Sequence, residues 1–181
     1  MSRVLITSDL HLGHANAYKW RPFDSMLEHD LVVFNNLYNY IQPRDVLWIL
    51  GDVCLHPEAI KYITMIKDKL GNKGKLYICL GNHDSDKGKD REQAGIALRH
   101  LADEVHGVVS RYGFWLSHAP VHPDELRGKK NIHGHVHSNS IRLPDGPVTK
   151  GALDPRYINV CPEVNDFLPI NLQELRSKLD V

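Results

Sequence analysis

Three short apolar runs in the first half of the chain each end in a polar cluster, and helical spacing fills the intervals between them. Residues 3–8 (RVLITS) lead into Asp9-Leu10-His11, residues 45–50 (DVLWIL) into Gly51-Asp52, and residues 75–80 (KLYICL) into Gly81-Asn82-His83-Asp84. Short runs rich in branched residues and bounded by turn formers read as buried strands. Between the first two, residues 24–41 place Leu27, Leu31, Phe34, Leu37, Tyr38 and Ile41 at helical spacing, with Pro43 just beyond. After the second, Pro57 opens a helix through Ile60, Ile63, Ile66 and Leu70 that Gly71 closes. Strands alternating with helices predict a largely parallel sheet covered by helices.

The pattern changes after residue 100. Glu104 to Val109 and Phe114 to Ser117 read as a hairpin turned at 111–113, with short strands at 131–132 and 157–160 and a last helix over 171–179. The expectation is an α/β (α+β) chain forming one domain over residues 1–181, its second half a more antiparallel sheet packed on the first. Residues 85–92, 120–130 and 138–156 are polar, Gly- and Pro-bearing, and read as loops.

Charge excludes one class of function. With 22 basic and 22 acidic residues the net charge is zero, so there is no global field for a nucleic-acid backbone or an anionic membrane, and strong nucleic-acid binding is not expected. Three scattered cysteines, Cys54, Cys79 and Cys161, form no CxxC pair, and Cys54 and Cys79 read as buried small hydrophobes. Reduced thiols, the absence of a signal-like N-terminus and the lack of any long apolar stretch point to a cytoplasmic protein. Twelve histidines are many for 181 residues.

The polar clusters carry the chemistry. Besides the three above, the second hairpin strand ends at Ser117-His118, and a later one at Gly134-His135-Val136-His137. Ligands gather outside the carboxyl ends of strands in α/β sheets, so these segments are placed to deliver their side chains to one point. On extended backbone, residues i and i+2 face the same way, which pairs Asp9 with His11 and His135 with His137. Glycine before Asp52, Asn82 and His135 permits a sharp turn or a close approach. Oxygen and imidazole donors without thiolates favour a borderline divalent metal: manganese, iron, zinc, cobalt or nickel.

The ordered series DxH, GD, GNHD, a lone His and GHxH, spanning residues 9–137, resembles the calcineurin-like metallophosphoesterase superfamily. The resemblance implies a four-layer αββα sandwich of two mixed sheets with two divalent ions, manganese first, at the sheet ends. Asp9, His11 and His137 would hold one ion, Asn82, His118 and His135 the other, and Asp52 would bridge them. A bridging hydroxide would be the nucleophile in phosphomonoester or phosphodiester hydrolysis. His83, adjacent to a ligand without being one, would donate to the leaving oxygen as general acid, and Asn82 and His83 would also contact the substrate. The DxHxGH form of the first motif implies that His14 faces the substrate phosphate.

The expected partner is a phosphorylated small molecule or nucleotide. Gly51-Asp52 is followed by Val53-Cys54-Leu55-His56 in place of the DRG element of the superfamily's protein phosphatases, which disfavours that activity. The rival reading is a non-catalytic interaction scaffold that keeps the fold. His29, His56 and His100 read as surface or capping residues, His106 as structural, and His122 and His133 as near the site, with His133 orienting a ligand. Lys87, Lys89 and Arg91, then Arg127, Lys129 and Lys130, would rim the pocket or form solvated charge runs.

Overall fold

The computed structural model describes residues 2–85, 88–146 and 151–179. In chain order its elements are β1 (Val4–Thr7), α1 (Met26–Tyr40), β2 (Val46–Leu50), α2 (Ile60–Leu70), β3 (Lys75–Cys79), α3 (Lys89–Leu101), β4 (Glu104–His106), β5 (Val108–Arg111), β6 (Phe114–Ser117), β7 (Lys130–His133), β8 (Tyr157–Asn159), β9 (Ile170–Asn171) and α4 (Leu172–Leu179). Two sheets form, ordered β4-β3-β2-β1-β9 and β5-β6-β7-β8. The first is parallel from β1 to β4, with β9 antiparallel on its edge.

Alternation along the central strands builds two cores. Leu5, Leu47, Ile49, Leu76 and Ile78 face the helices, meeting Val33, Phe34 and Leu37 of α1 and Ile63 and Ile66 of α2. Their neighbours Ile6, Trp48, Leu50 and Cys79 face the opposite way, onto Phe114, Leu116 and Ile132 of the second sheet, and α4 adds Leu172 and Leu175. A sheet buried on both faces needs near-continuous apolar strands, as the residues of β2 show. Trp115 points out of this second core, and its Nε1 donates to the Leu126 carbonyl at 3.1 Å. The segment holding the 3-10 turn Pro123–Glu125 therefore covers the outer face of the second sheet. The layer order is αββα in two mixed sheets, with a thin fourth layer.

Four expectations are corrected. Residues 104–111 do not form one hairpin arm: β4 pairs parallel with β3 in the first sheet, and after Gly107 the chain changes sheets, so that β5 alone pairs antiparallel with β6. The second sheet is then mostly parallel, because the long connections after β6 and β7 let those strands run the same way as their neighbours. The loop expected over 85–92 includes the first turn of α3, whose buried Ala94 and Leu98 are too sparse to announce a helix. In α1, Leu27 and Leu31 are exposed while His29 and Asp30 turn inward. Among the described residues no helix is long and apolar enough to cross a membrane.

Candidate metal centre

The strand-end clusters converge through backbone that bends sharply rather than staying extended. Asp9, His11, Asp52, His135 and His137 all have positive φ, between 48° and 71°. Left-handed backbone is uncommon for residues with a Cβ, costs on the order of 1–3 kcal/mol each, and persists where surrounding structure enforces it, typically at functional sites. The i, i+2 pairing expected on extended chain is therefore wrong in its geometry. Asp9 and His11 still meet, but His135 and His137 diverge toward different partners. Asp9 N donates to the Gly51 carbonyl and His11 N to the Asp52 carbonyl, both at 2.9 Å, so the loops after β1 and β2 stay paired beyond the sheet. Close approach explains two glycines: a Cβ at Gly81 would lie 2.2 Å from Asp52 Oδ1, and one at Gly134 2.2 Å from Asp9 Oδ2.

Two groups of ligand atoms result, Asp9–His11–His137 and Asp9–Asp52–His118, each within 4.8 Å of one another. Asp9 belongs to both groups, and Asp52 Oδ2 of the second stands 3.7 Å from His11 Nε2 of the first and 3.5 Å from His118 Nε2. His118 Nε2 lies 2.9 Å from Asn82 Oδ1 and 3.1 Å from His135 Nδ1. The structure thus brings all seven expected ligand residues to one place.

The hydrogen bonds show which atoms are left for a cation. Asp9 Oδ2 accepts from the His135 amide at 2.8 Å and from the Cys161 thiol at 3.3 Å. Among the described residues, Asp9 Oδ1 and both nitrogens of His11 are buried with no hydrogen-bond partner, a rare and costly condition. His118 Nδ1 sits 2.9 Å from the Leu50 carbonyl, which can only accept, so Nδ1 carries a proton and Nε2 points inward. That nitrogen lies against the Asn82 side-chain oxygen at 2.9 Å. The buried, unpartnered Asp9 oxygen and His11 nitrogens, beside this contact, fit a divalent cation.

Supporting residues fix these orientations. The Glu163 carboxylate accepts from His137 Nδ1 at 2.8 Å and from Arg21 Nε at 2.9 Å. Arg21, fully buried, also donates to the Asp9 and Leu10 carbonyls at 2.7 and 3.3 Å. Nη1, the nitrogen that reaches Leu10, also meets His29 Nε2 at 2.8 Å, and His29 Nδ1 meets Asp30 at 2.8 Å. That network is why His29 is interior and not the surface residue expected. Asp84 accepts from the amides of Asp52, Val53 and Gly81 at 2.8–2.9 Å, tying the GD turn to the GNHD turn. Arg21, Asp84 and Glu163 carry no role in the sequence reading. Only Asp84, inside the GNHD motif, offers a signal that could have found it. His133 is buried, and its Nδ1 meets the Gly134 carbonyl at 2.8 Å, so it braces the backbone beside a ligand.

Electrostatics follow from burial and pairing. Burial pushes the Asp9 carboxyl up, but His11, His118 and the His135 amide outweigh it and hold the group well below the usual carboxylate range. Burial pushes His11 down. The hydrogen bond to Glu163 raises His137. Burial raises Glu163, and His137 with Arg21 reverses that shift.

The sequence model of the calcineurin-like phosphoesterases matches residues 2–149 of the chain. The chain belongs to this family. An uncharacterized protein of Methanocaldococcus jannaschii is 29% identical over 178 residues, covering 95% of this chain and 88% of that protein. The gene 66 protein of Mycobacterium phage L5 is 30% identical over 169 residues, 78% of this chain and 80% of the phage protein. The crystal structure of a protein of unknown function from Aquifex aeolicus superposes with a TM-score of 0.67 at 26% identity, covering 98% of this chain and 99% of that one. Metal-dependent phosphoester hydrolysis is the general chemistry of a calcineurin-like phosphoesterase, and the Asp and His groups described above suit it.

Around this phosphoesterase centre the rim is uneven. His83 Nδ1 meets Arg91 Nη1 at 3.2 Å, while its amide donates to Asp52 Oδ1 at 2.9 Å. His14 lies beside the site, its ring centroid 5.5 Å from His11 and 6.2 Å from His83, and burial, with His11, His83 and Arg91 adding to it, pushes its pKa down to about 4. His14, Lys89 and Arg91 line a cavity of about 320 Å³ together with His56. Lys87 lies outside the described residues. Arg127 and Lys129 do not rim the site: Arg127 pairs with Glu125, and Lys129 reaches Ser110 and the Trp115 ring on the outer face of the second sheet. His56 and His122 cap 3-10 turns, and His106 stacks on Trp48 at 5.5 Å.

Proposed function

We propose that the protein hydrolyses phosphomonoesters or phosphodiesters, nucleotides among them, at a pair of divalent metal ions, manganese first. The observation that carries this reading is the set of buried polar atoms without a hydrogen-bond partner among the described residues, Asp9 Oδ1 and the His11 nitrogens, with His118 Nε2 and the Asn82 oxygen in contact beside them. Asp9, His11 and His137 would hold one ion and Asn82, His118 and His135 the other, with Asp52 between. Bound there, such ions supply Lewis acidity, a water of lowered pKa and positive charge against the phosphoryl group.

The chain's own residues complete the site. His14 Nδ1 accepts from the Asn16 amide at 3.1 Å, so the proton sits on Nε2. At neutral pH this uncharged ring donates a hydrogen bond to a phosphoryl oxygen. His83 likewise keeps its proton on Nε2, because the Arg91 guanidinium can only donate to Nδ1. That Nε2–H stands 4.0 Å from Asp52 and serves the leaving oxygen. His83 is the general acid of this reading, giving that proton to the leaving oxygen. The exposed amide of Asn82 contacts the substrate from the same turn.

The test is turnover of nitrophenyl phosphate and bis(nitrophenyl) phosphate by metal-stripped protein reloaded with manganese, iron, zinc, cobalt or nickel. Hydrolysis that appears with metal and disappears with chelator is expected. No turnover with any of them would instead favour a scaffold that has kept the fold.

A further inference from the structure

We infer that Trp20 is a stacking platform for the base of a nucleotide substrate, an inference that rests on the phosphoesterase reading above. Trp20 is 49% exposed, yet it stands at the metal centre. Its ring centroid lies 5.0 Å from that of His14, 6.2 Å from His11 and 6.5 Å from His137, all edge-to-face. Among the described residues no hydrogen bond engages its indole nitrogen. The other two tryptophans are accounted for by the fold: Trp48 is fully buried in the inter-sheet core, and Trp115 donates to Leu126 under Lys129.

The indole is held rather than loose. Its amide donates to the Ala17 carbonyl at 3.3 Å, closing the 3-10 turn Ala17–Lys19, and Ala17 is buried. The next residue, Arg21, is the buried arginine that grips the carbonyls of Asp9 and Leu10. The indole position is therefore tied to the ligand loop itself. A half-exposed indole on an anchored backbone, one ring away from His11 and His137, offers a surface for a planar group attached to the phosphate of the proposed substrate. Stacking on an aromatic side chain is worth about 1–3 kcal/mol per base and needs no charge. In a chain of zero net charge, it supplies nucleotide affinity that a long-range field does not. A macromolecule lying on this face would cover the centre, so a small ligand is the fitting occupant.

The experiment compares wild type, Trp20→Phe and Trp20→Ala on a nucleoside 5′-monophosphate, ribose 5-phosphate and nitrophenyl phosphate, with manganese. Trp20→Ala is expected to raise KM for the nucleotide about 5- to 150-fold, the fold-change equivalent of the stacking range, with kcat nearly kept. KM for ribose 5-phosphate is expected to stay put, and Trp20→Phe to recover most of the loss. An equal shift for both sugar phosphates, no shift for the nucleotide, or a shift for the nitrophenyl ester alone would overturn the assignment. Fluorescence titration with the nucleotide gives a readout free of turnover: quenching in wild type that Trp20→Phe abolishes is expected, and unchanged quenching would refute the platform. If no ester is hydrolysed with any metal, the hydrolase reading fails while this titration still decides the role of Trp20.

Discussion

Asp9, His11, Asp52, His135 and His137 each occupy left-handed backbone, and all five are proposed metal ligands. His83 differs from them: it is half-exposed, is held by Arg91, and donates its amide to Asp52. His83→Ala is expected to lower turnover by about 10²–10⁴-fold while leaving metal content intact; parallel assays and metal analysis of the variant check this, and full activity would remove His83 from the mechanism. Glu163 acts through His137. Glu163→Gln should weaken metal affinity about 10–100-fold, read by competition with a chelating dye, because the neutral amide polarises the imidazole less. Unchanged affinity would leave Glu163 a purely structural partner of Arg21. The proposed ligands were legible in the sequence because all but the lone His118 sit in short motifs. Glu163 and Arg21 were not, since their roles depend on a loop 26 residues beyond His137 folding back, which no local pattern records.

At the scale of elements, strand ends deliver the ligands, and the joint between β3, α2 and β4 holds the first sheet in register. Asp103 lies at that joint, accepting from the Leu76 amide at 2.8 Å and pairing with Lys75 at 3.1 Å and with Lys67. Burial pushes its carboxyl up, but the amide and the two lysines outweigh it, so the folded-state pKa lies below the ordinary value. Its contribution to stability is therefore complete above about pH 4 and lost as pH falls through the folded value. Denaturant unfolding of wild type and Asp103→Asn should differ most near neutrality and converge in acid. A constant difference across that range would contradict the assignment. Elements with dense apolar patterns, β1 to β3, α1 and α2, were readable from sequence. Gly107 was the one signal that 104–111 changes sheets, and a glycine in a strand pattern marks equally a bulge or a break. The first turn of α3 is exposed and polar, so periodicity gave it no weight.

The whole molecule sets a neutral surface around a pocket of aligned acceptors. Two sheets face each other, and the polar ends of β1, β2, β3, β6 and β7 meet at a common edge, which brings the Asp9 carboxylate and the His135 amide, 126 residues apart, into a hydrogen bond. Long-range order of this kind lets a chain without net charge hold concentrated charge at one point, and cations bound there would stabilise the folded state by mass action. The direct measurement is metal content, by mass spectrometry and titration calorimetry, of protein stripped with chelator and reloaded with manganese. About two ions per chain are expected, and Asp52→Asn should empty both positions more severely than any other single ligand change. Protein that takes up no metal above the stripped baseline, or an Asp52→Asn variant that binds as fully as wild type, would contradict a shared two-metal centre.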